Sequence, residues 1–149
     1  MALLYEDFDL FVDRMEGAYR LRVLDSPVGQ AQTTVVPDGA LLAIQTAIAA
    51  GWQVEEIVVA QDWGRTLYAT LFADAVELCL LRSLDSVQRS GRGLRIRLHL
   101  TEVPELAALP WELVYSPHSE RFLALSNTTP IVRYMALATH APGLLAELP

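Results

Sequence analysis

One thiol and three imidazoles are the groups in this chain that could break or make a bond, and their surroundings decide what they can do. Cys79 would be the nucleophile of a small cysteine hydrolase. It stands in the run Leu78-Cys79-Leu80-Leu81, and an apolar setting raises a thiol's pKa and blocks access to it. The expectation is a core cysteine. His99 falls between two leucines on the polar side of a strand, His118 in a loop, and His140 in the tail. None has metal-ligand spacing to another His or to Cys79, so neither a zinc site nor any other cofactor is expected. Glu55-Glu56 stand too near each other to act as a glycosidase pair. "SGRGLR" (Ser90–Arg95) ends a helical pattern instead of opening one, and no Gly-Lys-Ser/Thr follows, so it is a helix stop and not a phosphate loop. Arg92, Arg95 and Arg97 could form a basic strip, with internal pairing the expected fate of these charges. All 11 basic residues are Arg; the lack of Lys removes a P-loop lysine, a Schiff-base lysine and a Ser–Lys dyad.

Bulk properties set the frame for these groups. At 149 residues one domain is expected, with 52% hydrophobic and 19% charged residues, too apolar for disorder. A net charge of −7 argues against nucleic acid, whose phosphates require clustered cations. A lone Cys permits no intramolecular disulfide and suits a reducing compartment. "MALLYEDFDL" carries no signal-peptide pattern, and the most apolar run, Leu41 to Ala50, is about half of a ~20-residue membrane span. A cytoplasmic protein without a membrane partner is the expectation.

The elements follow from periodicity. "FDLFVDRMEGAYRLRVL" alternates Phe8, Leu10, Val12 and Tyr19, Leu21, Val23 about a turn at Arg14–Gly17, which reads as a β-hairpin. On its other face Asp9 and Asp13 can approach Arg20 and Arg22. Thr33–Val36 continues extended. A short helix follows, with Asp38 as N-cap and Gly51 past its end; its apolar interior predicts that most of its circumference is covered. Glu55–Ala60 reads as a short strand. Asp62 to Ser90 is helical, with Leu67, Leu71, Ala75 and Leu78 at helical spacing, an Asp85–Arg89 i,i+4 pair, and a second helix starting after a kink at Asp74 and Glu77. Gly91 and Gly93 end it. "GLRIRLHL" is the clearest strand: Leu94, Ile96, Leu98 and Leu100 point one way, Arg95, Arg97 and His99 the other. Glu112–Tyr115 and Arg121–Leu125 read as a hairpin around Ser116–Glu120, and Ile131–Tyr134 as one more strand. The fold class is α/β or α+β: a mixed sheet of five or six strands packed by two or three helices. Residues 1–136 form the domain and 137–149 a linker-like tail.

In order along Trp63–Tyr134 stand "WGRTLYATLF", "GRGLRIRL", "LPWE", "RFLALS" and "PIVR". This set resembles the CHAT family of bacterial caspase-like cysteine peptidases and covers about half of the chain. The resemblance implies that catalysis belongs to a His and a later Cys in a sheet that follows a "P-V-R-Y" strand and a Pro-rich linker. Cys79 precedes every His, the reverse of that order. The chain is then expected to be the amino-terminal, non-catalytic portion of such a peptidase. Its expected partner is a CHAT catalytic domain in cis or another protein.

Within "LPWE", Pro110 stops a helix and places Trp111 at the start of a strand. Trp111 brings a large apolar area and one N–H in need of an acceptor. Glu112, on the opposite face, would be paired by Arg95, Arg97 or Arg133 on neighbouring strands. The expectation is that Trp111 fixes the turn in the core while Glu112 locks two strands through an arginine. Two other functions remain open: a free-standing adaptor that binds a protein partner in bacterial signalling or defence, and the hydrolase built on Cys79.

Overall fold

The alternating residues of the hairpin do form two long strands, β1 (Tyr5–Met15) and β2 (Ala18–Asp25), closed by a two-residue Glu16-Gly17 loop. Gly17 has φ of +66°, the left-handed conformation such a loop demands and glycine adopts without strain. The register sets Val12 opposite Leu21 and Leu10 opposite Val23, so both apolar rows enter the core. Between Asp9 and Leu10 the pairing shifts by one residue of β2, a bulge. Strand β3 (Ala31–Val35) adds antiparallel to β2.

The computed structural model describes residues 2–134 and is a mixed α/β fold. His140 and the linker-like tail fall outside the described residues. The main sheet runs β3-β2-β1-β4-β7, where β4 (Gly93–His99) lies parallel to β1 and β7 (Ile131–Tyr134) parallel to β4. Phe8, Leu10, Leu21, Leu94, Ile96 and Leu98 fill one face to complete burial. Helix α3 (Asp74–Arg89) packs along that face against β1 to β4.

Helix α1 (Gly39–Ala49) begins where Asp38 Oδ1 accepts the N–H of Leu41 at 2.9 Å, and Gly51 follows it with φ of +85°. It is less covered than its composition predicts: only Leu41 and Ile44 are buried, while Leu42 is half exposed. The expected strand at Glu55–Ala60 is instead the start of α2 (Ile57–Leu71). Ala60, Gly64, Leu67, Tyr68 and Leu71 form its buried stripe, and that helical phase already includes Ala60. The break before α3 falls at Phe72–Ala73, and α3 opens on Asp74 with φ of 49°. It resets the phase. Ala75 and Leu78, expected inside, face outward, and Val76, Cys79, Leu80, Ser83 and Val87 are buried in their place. The Asp85–Arg89 pair forms at 2.8 Å on the exposed side.

After β4 the chain makes a one-turn helix α4 (Pro104–Ala107), a 3₁₀ turn at Trp111–Leu113, and a minimal hairpin of β5 (Tyr115–Ser116) and β6 (Arg121–Phe122). The expected hairpin is therefore shorter at both ends, since Leu123–Leu125 is also a 3₁₀ turn.

Candidate interaction surface

The "LPWE" stretch is built as a plug. Pro110 blocks a continuous helix, and Trp111 does not open a strand as expected: it turns in 3₁₀ geometry and drops its indole into the core with no solvent exposure. The indole N–H donates to Leu106 O at 2.7 Å, so its one polar atom is satisfied within the turn. Helix α2 closes over the same turn. A Cβ on Gly64 would stand 2.1 Å from Leu113 O and 2.7 Å from Tyr115 Cβ, so only glycine allows this approach.

Arg133 ties the plug to the outer strand. On β7 it stands in register with Leu98, on the core side of the sheet. Its Nη1 donates to Ala107 O at 3.0 Å and Leu109 O at 2.8 Å, and its Nη2 to Glu112 Oε1 at 2.8 Å. Of the three arginines offered to Glu112 by the sequence, Arg133 is the one that reaches it. Glu112 lies in the turn and not in a strand, and its side chain is 56% exposed, so the lock runs from turn to strand. Most of the bonding comes from the two backbone carbonyls.

Arg95 and Arg97 belong to the opposite face of the sheet, away from Trp111. Arg95 Nε binds Asp7 Oδ1 at 2.6 Å. Arg97 grips Asp9 with two bonds, 2.5 Å to Oδ1 and 3.0 Å to Oδ2, and His99 Nε2 stands 3.1 Å from the same Oδ1. Burial pushes the Asp9 carboxyl up, but the hydrogen bonds and charges of Arg97 and His99 outweigh it and hold Asp9 below the usual carboxylate range. Arg97 is held correspondingly high by the Asp9 bond. Farther along this face Asp13 binds both Arg20 and Arg22, and the Arg20 hydrogen bond keeps Asp13 low. The sequence offered Asp9 to these two arginines; in the fold it is taken by β4.

The His99 ring is stacked between Phe11 at 3.9 Å and Tyr134 at 4.6 Å, nearly parallel to both. Strand parity alone could have put these three rings on one face, but their adjacency needs the register Phe11–His99–Tyr134, which no local signal encodes. On this face most charged and aromatic groups are paired with one another, although the buried Nε of Arg22 has no hydrogen-bond partner among the described residues.

Cys79 is buried, as its apolar neighbours imply, and its polar neighbours among the described residues are Ser26 Oγ at 3.4 Å and Gly29 O at 4.0 Å. His118 lies elsewhere, 3.1 Å from Glu77 Oε2, which also accepts the Tyr68 hydroxyl at 3.0 Å. Among the described residues no cluster of three His, Cys, Asp or Glu could hold a metal ion, and no helix is long and apolar enough to cross a membrane.

Family models, curated proteins and solved structures yield no match to this chain.

Proposed function

We propose that this chain is a non-catalytic structural and interaction module that precedes a CHAT-type cysteine peptidase domain and couples its catalytic sheet to a sensor or partner. The observation that carries this reading is the outer position of β7. Among the described residues it is a parallel strand at the edge of the sheet, with no strand on its outer side and an anchor at Arg133. A strand from a following domain can continue the sheet there through main-chain hydrogen bonds. The plug beneath would hold the edge at a fixed height, so the contribution is positioning and not bond cleavage. Cys79, enclosed beside Ser26 with no imidazole bonded to it among the described residues, fits a packing role in this module.

Reading the coding sequence past the codon for Pro149 tests the proposal. A His-Gly followed by a later strand-end Cys in the same frame is expected; a stop codon or an unrelated domain refutes it. The adaptor reading is favoured by one feature, the exposed Trp52, Ile57 and Val58 at the corner of α1 and α2. It expects a stable complex with a separate protein that is lost on Trp52→Ser with Val58→Ser. Rapid stoichiometric thiol labelling of the folded protein would instead revive a hydrolase.

A further inference from the structure

A cleft of about 300 Å³ opens beside α3, bounded by the β5–β6 hairpin and the turn after it. Its volume is at the small end of ligand sites, which span roughly 300–1,000 Å³. Leu80, Leu84 and Val87 from α3 and Leu123 from the turn make its wall apolar, and Arg92 and Arg121 add two cations. No residue that lines it is acidic, in a chain with 18 Asp and Glu against 11 Arg.

Among the described residues, carboxylates hold seven of the 11 arginines. Arg92 and Arg121 are exceptions: among the described residues neither forms an ion pair. Within those residues no carboxylate neutralises either charge, and both arginines line the same cleft. Ser116 also lines it and is buried; its Oγ accepts the N–H groups of His118 and Ser119, which leaves its own proton to donate. At the Tyr68–His118 side, Glu77 binds both residues and places a negative charge behind them. That charge disfavours a second anion there and limits the ligand to one anionic end.

We propose that the cleft binds a small amphipathic monocarboxylate, with its alkyl body against the leucines and its carboxylate between Arg92 and Arg121. Guanidinium forks match carboxylate oxygens in pairs, and charge-assisted bonds are the stronger ones. The inference stands apart from the peptidase reading, because it rests on the lining of this cleft and not on the outer flank of β7.

Calorimetric titration of the full chain tests it, with octanoate as probe and octan-1-ol and inorganic phosphate as controls. Octanoate is expected to saturate one site, and each of Arg92→Gln and Arg121→Gln to weaken it about tenfold, the worth of one charge-assisted bond. Arg→Lys at either position is expected to retain part of the affinity, and Leu84→Ser to lower it. Both arginine side chains are solvent-exposed, so thermal melting of the Gln variants should match the parent, which separates lost binding from lost fold. No saturation by millimolar octanoate, equal binding of octan-1-ol, or parental affinity in the double Gln variant would overturn the proposal. Phosphate that binds as tightly as octanoate would overturn the apolar half of the site.

Discussion

At Trp111 one side chain supplies both packing and hydrogen-bond satisfaction. Truncation to Ala should cost about 3–5 kcal/mol in chemical denaturation, since the site is fully buried; an unchanged midpoint would refute the plug. Glu112 and Arg133 touch each other, yet they should not be equivalent. Glu112→Gln removes half of a partly exposed pair and should cost less than about 1 kcal/mol. Arg133→Met strips donors from Ala107 O and Leu109 O and should cost about 2 kcal/mol. Asp9 carries a pH signature. Unfolded, its carboxyl titrates near the ordinary 3.8; folded, it is held lower. Its contribution is complete above the ordinary value and disappears as pH falls through the lowered one. Asp9→Asn should therefore destabilise the protein at neutral pH, and its stability should fall less steeply on acidification below about pH 4 than that of the parent. The need for an acceptor at Trp111 could be read from residue type. The choice of Arg133 over Arg95 and Arg97 could not, because it depends on which face each arginine occupies after β7 pairs with β4.

Elements with strict periodicity were the legible ones. The hairpin and β4 alternate cleanly, and Asp38 marks its helix by a cap with a known mechanism. The helix over 57–71 was hidden at its start by Ile57, Val58 and Val59, which resemble a strand until the stripe from Ala60 to Leu71 is traced in full. The phase of α3 was lost because a break of two residues rotates every later side chain around the axis. The 3₁₀ turn at Trp111–Leu113 had no sequence signal beyond Pro110. Gly64 is where elements meet, and the requirement for it is invisible without the turn that presses on it. Gly64→Ala should lift α2 from Leu113 and Tyr115, at a cost of about 1–3 kcal/mol or more. A quench of indole fluorescence, as water reaches the plug, would report the same displacement. A melting curve identical to that of the parent would show that α2 docks without this close approach.

At the scale of the whole molecule, one face of the sheet is a hydrophobic core under α3 and the other a lattice of paired charges and stacked rings. The amino-acid pattern specified the two faces; it left open which strands lie side by side. The central contact joins β1 to β4, whose Asp9 and Arg97 are 88 positions apart along the chain. During synthesis, β1, β2 and β3 can pair as soon as they emerge, whereas the inner flank of β1 must wait until α3 and β4 have been made. Closing so wide a loop is slow, and topologies dominated by distant pairings fold on the millisecond-to-second scale. For that interval the nascent ribbon offers a bare hydrogen-bonding rim beside Phe8 and Leu10, an aggregation hazard that chaperones would have to shield.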